Sequence, residues 1–538
     1  MWKKKDPDHG VGIDDLELEA AGYSQEMPRR FSPWSLGALS FTLTCTWLGT
    51  GSSLGIGLAE ASAAGALWAL PIAGVMTLIV SAGMAELASA YPVAGAQYYW
   101  TFMIASNKYK AFGSFVNGWM SIIGWWLASG SVANFNSSMI MEIVTVWYPN
   151  FQPQRWQQYL VYVALLWLAA ALNILGSRWL PHLNQFIFLL SVATLTATTM
   201  TLFIVARHHH APPTFIFAET VSQSGWSSRG FSFLLAISNS VYGFLGSDCG
   251  AHLCEEIVNP SRNVPKAILY PLVVGLLTAF PFTISLIYSI SDVTAVLEKI
   301  TGLPLIEIYY QGTGSYAAAS VLLAAFAFCL FGCLVGVGTT CSRTLWAVSR
   351  DGALPFSGIW MGVHPKFHMP ANAMVLTATC VSLYGLIFLG STTAFSAMVS
   401  ATIMFTQTSC VIPQAILLYR GRDQVLPKRY FNLGKFGTIV NAIAVSWTIF
   451  LDVLVCFPTS VPVTAENMNY VSVVFVGLAS FVVLLWFGTK RGSFTGPHVN
   501  IGLMNERRLA ALHTETVGGE MDDLKTRESR VSIIKSPE

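Results

Sequence analysis

Long apolar runs separated by short polar ones set the pattern of this chain. Crossing a bilayer takes roughly 20 apolar residues, and twelve runs meet that length: 35–58, 64–90, 111–146, 157–176, 183–206, 231–252, 267–290, 317–346, 371–390, 393–418, 436–457 and 468–488. Each predicts a membrane-spanning helix. The third and eighth are longer than a bilayer requires and must tilt or extend past it. The pattern predicts an all-α integral membrane protein with both termini on one side.

Two runs are broken by glycine. The first holds Gly49-Thr50-Gly51-Ser52-Ser53-Leu54-Gly55-Ile56-Gly57, and the sixth holds Tyr242-Gly243-Phe244-Leu245-Gly246-Ser247-Asp248. Glycine weakens a helix, and irregular backbone at membrane depth survives only beside protein or a water-filled cavity. Gly-broken segments at corresponding places in two halves point to the substrate site of a secondary transporter. Runs one and six lie five apart, the spacing of two inverted five-helix repeats. That spacing divides the chain into a polar tail (1–34), a first repeat (35–206), a second repeat (231–418), two further helices (436–488) and a second polar tail (489–538).

Composition agrees. The 538 residues are 53% hydrophobic and 11% charged, against about 25% charged in soluble proteins. The net charge of +2 gives no reason to expect a nucleic-acid partner; the lipid bilayer is the expected surroundings. Met1-Trp2-Lys3-Lys4-Lys5 leads into acidic residues and not into an apolar signal sequence. Basic residues set the orientation. With the N-terminus inside, only Arg155, Arg207, Arg229 and Lys299 of the 30 lysines and arginines fall outside. Both tails are therefore expected in the cytosol. None of the nine cysteines has CxxC spacing, so they read as small packing residues. His208-His209-His210 points in three directions and makes a poor metal site. No metal or cofactor is expected.

The chemistry gathers at the two broken runs. Thr50, Gly51, Ser52 and Ser53 supply hydroxyls and freed N–H groups that can hold a carboxylate at a half-helix N-terminus. The competing reading is a helix-packing face, since Gly51 and Gly55 form a GxxxG pattern. In run six, the carbonyls freed around Gly243, Leu245 and Gly246 join Asp248 and suit an amino or quaternary ammonium group, with Tyr242 adding a cation–π face. Asp248 reads alternatively as a structural cap, and Tyr242 as core.

Several stretches resemble the amino acid–polyamine–organocation transporter superfamily. Gly246-Ser247-Asp248-Cys249-Gly250-Ala251-His252-Leu253-Cys254-Glu255-Glu256, continuing through Asn259-Pro260-Ser261-Arg262-Asn263-Val264-Pro265-Lys266, resembles its segment-six signature. Glu86 to Trp100 resembles the end of its segment two, with Gly95-Ala96 in place of the usual Gly-Gly. Ser342-Arg343 with Ser349-Arg350-Asp351-Gly352 resembles its eight–nine loop, and Phe457-Pro458 with 462–470 resembles the fungal amino acid/choline branch. The resemblance spans about residues 32–490. It implies a leucine-transporter-like fold, with the substrate between broken helices one and six and flanked by helices three and eight. It implies transport of an amino acid, γ-aminobutyrate or choline, with protons as the candidate coupling ion and the plasma membrane as the usual location.

Glu86 reads either as a proton-linked or gating acid or as a salt-bridged structural one. Glu255, Glu256 and Arg262, with Arg350 and Asp351, read as an ion-pair gate or as loop anchors. Run five holds no lysine that could stand in for a sodium ion. One of Trp119, Trp125 and Trp126 could face the site. The chain shows no nucleophile–base pair, Walker motif or HExxH, so the expectation is a secondary active transporter and not an enzyme. A nutrient receptor of the same fold, binding without flux, is the alternative from another class.

Overall fold

The computed structural model describes residues 13–208, 210–220, 224–297, 304–465 and 467–499. His209, Lys299, Glu466, residues 1–12 and the tail from 500 onward lie outside the described residues. Residues 27–496 form one compact unit, and the described tail residues 13–26 and 497–499 belong to another. The spans and the candidate site lie in the first unit.

Among the described residues the structure is helical, with a single isolated bridge between Phe31 and Ile257. Among the described residues, nine helices are long and apolar enough to cross a membrane. They account for most of the expected runs, and each run missing from them as a separate helix has a physical reason. Runs one and two are joined within 33–90. There α1 (Pro33–Thr44) is followed by α2 (Thr46–Ala90), which kinks at Ala61 and Ser62, the latter at φ 63°. Run three, α4 (Lys110–Trp147), carries many small and polar residues; at 1.5 Å per residue it is about 57 Å long and extends past a bilayer core. Run six is divided into short pieces, α7 (Arg229–Ser240), a 3₁₀ turn (Val241–Phe244) and α8 (Cys249–His252).

Local sequence explains where the helices begin. Ser32 accepts from Ser35 N–H at 3.2 Å ahead of Pro33, and Ser391 accepts from Ala394 N–H at 3.1 Å at the start of α12 (Thr392–Arg420). Ser228 and Ser315 do the same for α7 and for α10 (Tyr316–Arg350). Each cap satisfies a donor that the first turn leaves free. The core is aromatic: fully buried Trp47 is met edge-on by Phe282 and Phe326, and its indole N–H donates to Ser191 at 2.9 Å.

The glycine-rich stretch of run one does not unwind, and this corrects the sequence expectation. Gly49 to Gly57 is helical, and the break lies earlier, at Cys45, which takes the left-handed conformation (φ 44°, ψ 40°). The glycines serve close packing. A methyl group on Gly49 would stand 2.8 Å from Gly243 Cα, one on Gly51 2.9 Å from Phe326, and one on Gly55 2.7 Å from Pro304. Backbones this close need residues without side chains. In run six the break does fall at the glycines, with Gly246 at φ 84°.

Candidate functional site

The two breaks face one cavity. The first contributes Leu43, Thr44, Cys45, Gly49 and Ser52, and the second contributes Tyr242, Leu245 and Gly246. α4 adds Trp125, Ala128, Val132 and Phe135, and α10 adds Leu330, Cys333 and Val337. The cavity holds about 50 Å³ of free volume, below the roughly 300–1,000 Å³ usual for small-ligand sites.

Its wall is apolar and aromatic, and none of the lining residues carries a charge. Phe135 and Tyr242 meet edge-on at 5.7 Å, and the Tyr242 hydroxyl pairs with Ser131. The polar groups come from the break in run one. α2 restarts after Cys45 with no side chain capping its N-terminus, so its first N–H groups carry the positive end of the helix dipole. The Ser52 hydroxyl is buried and makes no hydrogen bond within the described structure. On the other side of the break, the Cys333 thiol stands 3.6 Å from the Leu43 carbonyl.

Of the residues expected to bind substrate, the structure brings Ser52, Tyr242, Leu245 and Gly246 to the cavity. Thr50, Gly51, Ser53, Gly243 and Asp248 are not among its lining residues. Thr50 and Gly243 lie at the helix crossing, where a methyl on Gly243 would stand 2.9 Å from the Thr50 hydroxyl. Asp248 stands behind the wall. It is 3% exposed, and its Oδ2 accepts from Gln97 Nε2 at 2.6 Å and from the Trp125 indole at 3.3 Å, with His252 Nε2 also at 3.3 Å. It makes no cap to α8.

Glu255, Glu256, Asp351 and Glu86 at the basic-loop end each have a partner. Glu255 forms a two-pronged pair with Arg350 (3.0 and 2.9 Å) and accepts from Ala94 N–H. Glu256 pairs with Arg343 at 2.8 Å, and both are 1% exposed. Asp351 accepts from the Tyr98 hydroxyl at 3.0 Å, and Arg262 stacks on Tyr430 at 4.3 Å. Of the five charged residues expected here, Glu255 and Arg350 form an ion pair, while Glu256 pairs with Arg343. Glu86 is a salt-bridged acid, held by Arg422, by Arg429 Nε at 2.7 Å and by Leu433 N–H at 3.0 Å. Sequence reasoning did not find Cys45, Phe135, Arg422 or Arg429, and it quoted Arg343 without a role. It offered Trp125 among three tryptophans and quoted His252 without a role.

A family model described as amino acid permease matches residues 31–479. The chain belongs to the amino acid permease family. It is similar to the choline transporter of Saccharomyces cerevisiae, 31% identical over 477 residues that cover 88% of this chain and 84% of that one. It is similar to amino-acid permease 2 of Neurospora crassa, 30% identical with 90% and 89% of the two chains covered. Amino-acid permease BAT1 of Arabidopsis thaliana is 29% identical, with 90% and 96% covered. Family and helices together make the chain a secondary transporter and an integral membrane protein.

Proposed function

We propose that this permease moves a small amino acid with an apolar side chain by proton-coupled alternating access. The cavity between the two breaks carries the reading. One side offers an uncapped helix start and the unpartnered Ser52 hydroxyl, which suit a carboxylate. The other offers Trp125, Phe135 and Tyr242, which suit an apolar body. The amino group would meet the Leu43 carbonyl beside the first break. Two repeats, 35–206 and 231–418, would rock about this fixed site. The plasma membrane, with both termini in the cytosol, fits the skew of basic residues.

A second reading rests on the same three aromatics. A quaternary ammonium ion such as choline is held by aromatic faces and needs no carboxylate partner. Uptake of labelled leucine, γ-aminobutyrate and choline into proteoliposomes, with and without an inward proton gradient, separates the two. Accumulation of leucine, weakened in Ser52→Ala, supports the amino acid reading. Accumulation of choline alone replaces it. Saturable binding without flux would make the chain a receptor.

A further inference from the structure

Behind the cavity wall lies a pair of buried groups that transport has not yet used. His252 is 0% exposed, and both of its ring nitrogens face acceptors. Nδ1 is 3.2 Å from the Ala94 carbonyl, and Nε2 is 3.3 Å from Asp248 Oδ2. A carbonyl can only accept, so Nδ1 must carry a hydrogen. Asp248 Oδ2 already faces two donors, Gln97 Nε2 and Trp125 Nε1. With Gln97 Nε2 and Trp125 Nε1 both donating, Oδ2 is a carboxylate oxygen, and Nε2 then donates as well. The hydrogen-bond pattern holds one proton more than a neutral imidazole beside a carboxylate.

We propose that Asp248 and His252 together form the proton-binding site that couples transport to the proton gradient. This rests on the proton-coupled reading above. Loading adds a proton from the outer side to the imidazole Nε2 lone pair, giving a cation beside the carboxylate and a neutral pair. Unloading returns the proton to the inner side and leaves one negative charge. An isolated charge at membrane depth is costly and a paired one far less so, so substrate and proton have reason to move together.

The unloaded pair cannot keep the present contacts. With one hydrogen, His252 bonds Ala94 or Asp248 but not both. Ala94 donates its N–H to Glu255 at 3.2 Å, and Glu255 holds Arg350. Trp125 links Asp248 to the cavity. One contact series thus joins the substrate space to the ion pair at the basic-loop end, and the protonation of His252 selects between two arrangements of it. The other titratable groups facing the pair are thiols: Cys249 on α8 itself, Cys341 on α10 with its sulfur 3.3 Å from the Trp125 carbonyl, and Cys410 on α12, 3.3 Å from Gln97 Nε2. The nearest charges along the series are Glu255 and Arg350.

The test uses full-length protein in proteoliposomes with labelled leucine, and labelled choline in parallel. His252→Gln should keep gradient-free counterflow and lose stimulation by an inward proton gradient. Stimulation equal to wild type overturns the assignment and leaves proton coupling standing. A wild type without stimulation overturns both. Gln97→Leu guards against a variant that fails to fold, since it keeps the pair and removes one donor to the carboxylate. With that donor gone, the pH of half-maximal uptake should move away from the wild-type value. An unchanged midpoint also overturns the proposal.

Discussion

The indole N–H of Trp125 points at the carboxylate of Asp248, 3.3 Å away. Trp125 lines the cavity and Asp248 does not, so the acid acts on the site through the ring it holds. A hydrogen bond to a charged group is worth about 1.5–3 kcal/mol.

Trp125→Phe keeps an aromatic wall and removes that bond. Substrate affinity in proteoliposomes should fall about tenfold, with protein yield unchanged. Wild-type affinity in this variant would mean that the indole is positioned by packing alone.

Gly49 is the second test. Its added methyl group in Gly49→Ala would meet Gly243 backbone at 2.8 Å. Overpacking costs typically about 1–3 kcal/mol. Thermal melting in detergent should therefore shift downward, while Gly37→Ala, where nothing lies within 4 Å, should leave the melt in place.

The two ion pairs at the basic-loop end should differ. Glu256 and Arg343 are fully buried, whereas the Arg350 side chain is 10% exposed. Removing one partner of a buried pair costs about 3–5 kcal/mol. Glu256→Gln should lower the melting temperature more than Glu255→Gln, measured side by side.

Glu86 anchors the chain between α12 and the next helix, through Arg422, Arg429 and Leu433. Ser89 reinforces it by accepting from Phe431 N–H at 2.9 Å. Glu86→Gln should speed hydrogen exchange across residues 422–433. Proton stimulation of uptake should persist, and its loss would return Glu86 to a coupling role.

Most of the spans were legible because hydropathy over 20 residues is a strong signal, and the break in run six because Gly243 and Gly246 announce it. The break in run one was not. Cysteine carries no turn preference, so nothing marked Cys45, while the glycines four residues later drew the reading toward themselves. Their role is set by Gly243 and Phe326, neighbours far away in sequence. The same distance hid the partners of Glu86, since Arg422 lies 336 positions on. Trp125 stood out from Trp119 and Trp126 only once helix rotation was known.

Cys45 and Cys333 both line the cavity, and they are 4% and 3% exposed. The permease therefore carries its own reporters of access. A membrane-impermeant thiol reagent added to either side would find these sulfurs only when the cavity opens toward it. Substrate would shield them in proportion to occupancy, and the transport cycle could be followed by labelling rates without introducing a single new cysteine.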